Sequence, residues 1–485
     1  MQVVLWIVFS LIAVAGVAAS VFVVREMRRS GWHVFRTRMG RSSRIWRLAA
    51  RRGMRFFRIR RRASDDDLDA FHLETAEQVF ELMGGMKGAV MKLGQMASIL
   101  GDSLPDQYGE ALRGLQQSAP PMAYDLMAGV VEEDLGDAPD RLFKQFSREP
   151  VAAASIGQVH RARLHDGTDV AVKVQYPGVD TAIRADLDNM FLLTSVARMM
   201  APGIDPEALV TEIKSVMFDE LDYTKEAANQ REFARAYEGH PWVRVPRVFP
   251  DRSGRRVLTT EWVSGRSFYD ILKSDQAERD RVAEQLFRFF VGSVGHLRFF
   301  NADPHPGNYF FADPAGPDAG AIWFLDFGMV KRFTPDVIDR LGEQVRALRA
   351  GDTNALNEAM IRHGWLKPDH DLDMSRVAEV ASLLNRSLMG PDPFTFTRDH
   401  VKTVVEGTMS IQGPYGEIIK HITLPSDHVM LNRIQLGVMA LLGRLNATGR
   451  WAAIFDEYIL GGAPATPLGE AAAGWPKAPV PGGAR

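Results

Sequence analysis

The stretch NADPHPGNYFF, Asn301–Phe311, followed by FLDFGMV, Phe324–Val330, decides how this chain is read. Asp303 is followed five positions later by Asn308, and Asp326 opens an Asp-Phe-Gly. In phosphoryl transfer one aspartate orients the attacking hydroxyl or water, while an asparagine and a second aspartate give hard oxygen ligands to Mg2+. The order and spacing assign those roles to Asp303, Asn308 and Asp326. Two features depart from the usual arrangement. Asn301-Ala302 stands where a His-Arg ordinarily precedes the aspartate, and His305 sits between two prolines, where the expected part is a hydrogen bond that fixes the loop.

Upstream lies a strand-rich block. QVHRARL and DVAVKVQ alternate apolar and polar residues and are joined through His165-Asp166-Gly167, a hairpin signal. Lys173 closes VAVK, and a lysine on such a strand points to a phosphate-binding ammonium held by a helix glutamate. The next long helix offers Glu220, Asp222 and Glu226 in FDELDYTKEAANQ, and spacing alone leaves the choice between them open. Before the first strand comes AAASIGQVH, Ala152–His160, where a glycine-rich phosphate loop would lie, and Gly157 is its one glycine. Alanines restrict φ and keep backbone amides farther from phosphates. RRVLTTEWV, Arg255–Val263, predicts a further strand, and helical sequence then runs to Leu297 and again over 334–460.

The composition, 46% hydrophobic and 24% charged, is that of a globular protein, and the absence of cysteine excludes disulfides and thiolate sites. The net charge of −2 conceals an asymmetry: residues 25–62 hold fifteen arginines against one glutamate, so the remainder is acidic. Residues 1–24 carry no charged side chain and as a helix would be long enough to cross a bilayer. With no basic segment before it and arginines directly after it, the expectation is a retained transmembrane helix with the rest of the chain on the cytoplasmic side. The arginine strip, RIWRLAARRGMRFFRIRRR, interleaves aromatic residues and suits an anionic leaflet better than nucleic acid. The sequence from Phe71 to about Gln117 predicts helix and contains MKLGQMAS, and the last residues, rich in Pro, Gly and Ala, predict disorder.

Taken together, KLGQ, AAASIGQVHRA, VAVKVQYPG, ELDY with EAAN, NADPHPGN and FLDFG resemble the UbiB/AarF family of atypical kinases, membrane-associated relatives of protein kinases linked to quinone biosynthesis. The resemblance implies an α+β, two-lobed protein-kinase-like fold with an added N-terminal helical extension. The domain boundaries expected are a transmembrane helix over 1–24, an Arg-rich juxtamembrane segment over 25–64 and a KxGQ helical extension over 65–135. A kinase-like N-lobe over 136–265, a C-lobe with helical extension over 266–463 and a disordered tail over 464–485 complete the plan. The resemblance places Lys92, Gly94 and Gln95 in the KxGQ motif and Glu220 and Asp222 in the ExD motif that meets it. It makes Glu226 the partner of Lys173, with Asp303 catalytic and Asn308 and Asp326 on the metal. The nucleotide would be met by Ala152, Ala153, Ala154, Ser155, Ile156, Gly157, Val159, Lys173, Glu261 and Val263.

It further implies ATP and Mg2+ as cofactors, an ATPase activity stimulated by membranes and phenolic lipid-like molecules, and a loop of alanines that disfavours protein acceptors. Membrane lipids of an anionic leaflet, quinone precursors or quinone-biosynthesis enzymes are the implied partners, at an inner cell membrane, with no nucleic acid. Bacterial members often carry their membrane helices at the C-terminus, whereas the apolar run here is N-terminal. Two other readings use the same residues: a small-molecule phosphotransferase of the aminoglycoside-kinase type, and a nucleotide-switched membrane scaffold without turnover.

Overall fold

The structure, a computed structural model, describes residues 122–475 apart from 155, 182, 185–216, 391, 410–412 and 424–425. The expected transmembrane helix, the arginine strip, the KxGQ helix with Lys92, Gly94 and Gln95, and Ser155 lie outside the described residues, as do most of the helix expected after Val179 and the last ten residues. Among the described residues no helix is long and apolar enough to cross a membrane.

The first lobe is built on a sheet of five antiparallel strands: β1 (Gln145–Phe146), β2 (Ala152–Ala154), β3 (Gly157–Arg163), β4 (Asp169–Gln175) and, after a parallel excursion elsewhere, β6 (Val257–Glu261). The order is β1-β3-β4-β6, with β2 folded back on the start of β3. The Asp-Gly predicted to turn the chain does so between β3 and β4, where Gly167 takes a φ of 94° open to few other residues. Alternation along β4 decides which face each side chain joins. Val170, Val172 and Val174 are fully buried with Met127, Val130 and Val131 of helix α1 (Tyr124–Leu135). Each such valine contributes roughly 1.5–3 kcal/mol by leaving water. Lys173, between them in sequence, is thereby turned to the opposite face.

That face is covered by helix α2 (Tyr223–Ala236). The proline at a helix start predicts one helix from near Pro206 to about Tyr237. Instead the helical residues ending at Glu220 stop, the chain turns through Leu221, and Asp222 starts α2 as its N-cap, its side chain accepting from the Thr224 amide at 3.1 Å. A capping aspartate competes with helix continuation, since its carboxylate satisfies an amide the preceding turn would have used.

The second lobe is mostly helical. Helix α3 (Gln276–Gly292) runs through its centre, and a wider turn over Ser293–Leu297 carries the chain into strand β7 (Phe299–Asn301). The site loop follows, then β8 (Tyr309–Phe311) and β9 (Ile322–Phe324), paired antiparallel, with β9 also parallel to β5 (Val243–Arg244). Strand β10 (Val330–Arg332) returns to pair with β7. Thereafter come α4 (Pro335–Ala350), α5 (Thr353–Arg362), α6 (Met374–Leu384), α7 (Arg398–Met409), α8 (Ser426–Leu445) and α9 (Trp451–Phe455). Aromatic rings dominate this core: Phe289 of α3 stacks on Phe324 of β9 at 3.6 Å between centroids, and Phe233 of α2 meets Phe327 at 4.9 Å.

The tail departs from expectation. Its first part is not disordered: Pro467–Ala471 form a short helix, α10, capped by the Thr466 hydroxyl, which accepts from the Gly469 amide at 3.2 Å. The cause is a distant anchor. Arg288 of α3, whose side chain is fully buried, donates to Thr466 Oγ1 at 2.8 Å and to Glu457 at 2.9 Å, tying the segment to the lobe core.

Candidate active site

Lys173 is the centre of the site. Its ammonium is 2.9 Å from both Oε1 and Oε2 of Glu226 and 3.7 Å from Oδ2 of Asp326, and it lies over the Tyr223 ring at 5.0 Å. Three elements supply these groups. Strand β4 projects Lys173 away from the α1 face, helix α2 presents Glu226 in its first turn, and Asp326 follows β9. The choice that spacing left open among the three acids is settled by capping. Asp222 is engaged by the Thr224 amide and hydroxyl, Glu220 precedes the turn, and Glu226 is the carboxylate that reaches the lysine.

One ammonium faces two carboxylates, and the electrostatics reflect that shortage. Burial works against the charge of Lys173, but Asp326 and Glu226 outweigh it and hold the ammonium well above its ordinary value. Burial pushes Glu226 up to about 7, with Lys173 pulling it down and Asp326 pushing it further up. The trio carries a net negative charge in a place where only Asp326, 30% exposed, and Lys173, 21% exposed, reach solvent. Such a site favours a further cation.

The loop that carries Asp303 and Asn308 is organised by Asn301. Its side-chain amide donates to the Asp326 carbonyl, and its Oδ1 accepts from the Asp303 amide at 3.0 Å. Asn301 thus holds the two acidic loops together, and the residue that takes the place of the usual histidine is a cross-brace. Sequence reading noted the position and missed its role; the signal was the polar residue at the end of an otherwise apolar strand, β7. Asn308 donates to the Asp303 carbonyl at 3.1 Å and to Asp303 Oδ2 at 3.3 Å, which leaves its amide oxygen as a hard donor. His305 Nδ1 accepts from the Gly307 amide at 3.1 Å, the loop-fixing bond expected of it. Beyond the aspartate, Phe327 is fully buried and its carbonyl accepts from Asn229 of α2 at 3.1 Å, coupling the Asp-Phe-Gly to the helix that bears Glu226.

Two tyrosines escaped the sequence reading. Tyr223 and Tyr309 are both buried beneath the acidic groups, and neither hydroxyl has a hydrogen-bond partner. Burial raises both, and for Tyr309 the nearby Asp303 and Asp326 add to it. Tyr223 was within reach of the sequence, directly after Asp222 in the ELDY that was singled out.

The alanine loop is a strand and turn. Ala152, Ala153 and Ala154 form β2 opposite Val159, Gln158 and Gly157, and Val159 in turn lies directly across from Lys173. Register therefore carries Ala152 and Val159 to the lysine's face. Ile156 is buried in a cluster with Leu221, Tyr223 and Leu258, the last directly across from Lys173 in the sheet. Gly157 has a structural reason independent of phosphates, because a Cβ there would stand 2.2 Å from the Val174 carbonyl oxygen. Glu261 ends β6 and accepts from the Arg247 amide at 3.2 Å, and Val263 is half-buried beyond it. Among the described residues no three His, Asp or Glu side chains are grouped to hold a metal by themselves. Asp326 with Asn308 fits the way Mg2+ is held with substrate phosphates, by one or two protein oxygens and the rest from phosphate and water.

The model of the ABC1 atypical kinase-like domain matches residues 114–360, which include every group just described. The chain belongs to this UbiB/AarF family of atypical kinases. A protein named probable protein kinase UbiB, of Marinobacter nauticus, is 34% identical over 286 residues, 58% of this chain and 52% of its own. The mitochondrial atypical kinase coq-8 of Caenorhabditis elegans is 29% identical over 395 residues, 80% of this chain and 51% of its own. The chain spans about half the length of these curated relatives. Among solved structures, Rv3197 of Mycobacterium tuberculosis in complex with erythromycin superposes with a TM-score of 0.60 at 32% identity, covering 82% of this chain and 98% of that one. The kinase-like fold, mixed in helix and sheet, follows from both kinds of match.

Proposed function

We propose that this UbiB/AarF member is an ATP- and Mg2+-dependent atypical kinase or ATPase, anchored at a membrane, that supports isoprenoid-quinone or lipid metabolism. The observation that carries the reading is Lys173 chelated by both oxygens of Glu226 with Asp326 at 3.7 Å. In phosphoryl transfer a lysine so held pairs with the α- and β-phosphates of ATP. Asp326 and Asn308 would hold Mg2+, which when bound neutralises phosphate charge. Asp303, buried and fixed by Asn301 and Asn308, orients the attacking oxygen and receives its proton. The alanine strand β2 offers no glycine for close amide approach, which supports an acceptor other than a protein side chain: a small molecule, a lipid or water. Residues 1–62, with their apolar run and arginines, support placement at an anionic leaflet.

Asp326→Asn in the full-length chain tests this. Phosphate release from ATP is expected to vanish while circular dichroism and Tm stay at wild-type values; retained turnover overturns the reading. Comparing release with and without anionic vesicles separates an active enzyme from a nucleotide-switched scaffold, which would bind ATP without release.

A second reading has one observation in its favour, the erythromycin complex of the M. tuberculosis relative. A small-molecule phosphotransferase of aminoglycoside-kinase type would add phosphate to such a polyhydroxylated ligand. Incubation with ATP and erythromycin, followed by mass spectrometry of the macrolide, distinguishes it: an added phosphoryl group favours this reading, and unmodified macrolide favours the first.

A further inference from the structure

The second lobe contains a cavity of about 130 Å³ that none of the site residues lines. It lies between α3, α4 and α8, walled by side chains such as Phe290, Leu388, Phe396 and Leu442. Protein interiors pack like organic crystals, and voids larger than a water molecule are few. A space of this size is comparable to engineered apolar cavities that admit a single aromatic ring.

The walls are not wholly apolar: Asn385, Ser387, His428, Asn432 and Gln435 line them, and so do two buried donors. Gln344 of α4 and Trp365 both line the cavity, and Gln344 Nε2 and Trp365 Nε1 are buried atoms with no hydrogen-bond partner. Both are donors. Buried donors left without an acceptor are rare in native proteins, and two on one cavity ask for what would satisfy them. An apolar pocket with a few convergent polar groups is the ordinary form of a small-molecule site. The position also matters: the wall includes Val291 at the end of α3 and Val294 in the turn that follows it, which leads the chain into β7 and Asn301.

From this combination we propose that the cavity is a binding site, separate from the nucleotide site, for a ring-sized, largely apolar molecule bearing a hydrogen-bond acceptor oxygen such as a ketone or ester carbonyl. The ring fills the apolar volume, and the oxygen accepts from Gln344, with Trp365 as the second donor. A ligand that brought only a donor would leave both N–H groups as they are. The site does not depend on ATP turnover, so its test is made without nucleotide.

The probes are acetophenone and ethylbenzene, near-isosteric rings that differ in the carbonyl oxygen. Titration calorimetry on the full-length chain is expected to show acetophenone binding about three- to tenfold more tightly, the usual worth of one net hydrogen bond. Gln344→Leu should narrow the gap, and Gln344→Leu combined with Trp365→Phe should bring the two affinities together while ethylbenzene still binds. Val438→Leu and Val438→Phe, which place added carbon in the cavity from α8, should progressively abolish binding of both; the leucine variant keeps the test valid should the phenylalanine variant not fold. Failure of either ring to bind at millimolar concentration overturns the proposal. So does binding that Val438→Leu leaves unchanged, or a preference for acetophenone that survives Gln344→Leu combined with Trp365→Phe.

Discussion

Each lobe buries one cation between two carboxylates, and the two are built for opposite ends. In the first lobe Lys173 meets Glu226 with both oxygens but holds Asp326 only at 3.7 Å, and both the lysine and Asp326 keep some contact with solvent. In the second lobe Arg288 is closed off completely. It donates to Glu284 at 2.8 Å, Glu457 at 2.9 Å and Thr466 at 2.8 Å, and the Thr466 hydroxyl donates in turn to Glu284. Lysine is a point charge on a flexible stem and can exchange partners; the arginine fork matches several acceptors at fixed angles. An incompletely neutralised, partly open cluster is a place where a ligand's charge can be taken up. A saturated, closed one is a rivet, here fastening the chain's tail to its second lobe.

The comparison breaks if either cluster does the other's work. The largest effect is expected at the first: Lys173→Met should lower ATP turnover by at least about a hundredfold, as loss of one preorganised electrostatic group does, with Tm close to wild type. Steady-state phosphate release beside differential scanning fluorimetry checks both halves; a large loss of Tm with turnover per folded molecule preserved would make this cluster structural. Arg288→Met should do the reverse. It strands Glu284 and Glu457 in a buried place, and removing one partner of a buried pair typically destabilises by about 3–5 kcal/mol. Urea unfolding measures that loss, and activity per folded molecule should remain near wild type.

A smaller effect sharpens the picture of the first cluster. Asn301→Ala removes the bond to the Asp326 carbonyl and the one to the Asp303 amide without touching either carboxylate. Turnover is expected to fall about tenfold, through looser placement of the two acids. Asn301→His, which restores the more usual residue, would recover part of it if the brace needs only a donor of that reach. Full activity in Asn301→Ala would show that the loops are held by other contacts.

Much of the first cluster was legible in the sequence and little of the second. Alternation in DVAVKVQ turns Lys173 away from the valines, and the Asp-Gly between QVHRARL and DVAVKVQ places the hairpin; both are local signals. The identity of the lysine's partner was not local. Glu226 is distinguished from Asp222 only because Asp222 caps α2, a fact that depends on the chain breaking at Leu221. Arg288 and Thr466 are 178 residues apart, so no window on the sequence could show that a Pro- and Ala-rich tail would be docked. Composition reports what a segment can do alone, and α10 is ordered by a partner. Gly157 was read for phosphates, and its close approach to the Val174 carbonyl adds a reason for glycine that no window on the sequence shows.

A third treatment of a buried ionisable group completes the comparison. His240 is buried between the rings of Tyr237, Trp242 and Trp475, and its Nδ1 accepts from the amides of Val243 at 3.0 Å and Trp242 at 3.3 Å. A nitrogen that accepts two amides keeps its lone pair, so the ring has no carboxylate partner in these contacts and is held neutral. Burial, with the Arg244 guanidinium adding to it, lowers its pKa to about 3. The unfolded chain takes up a proton near the ordinary value of about 6.5 and the folded one does not. Stability is therefore complete above about 6.5 and declines as pH falls toward 3, by about 1.4 kcal/mol per unit. Urea unfolding at pH 7.5 and 5.5 should show the wild type losing about 1.4 kcal/mol more than His240→Asn, in which an amide oxygen can replace Nδ1 as acceptor and nothing titrates. An equal loss in both proteins would mean that His240 is protonated in the folded state, and that this cluster, like the other two, holds a charge.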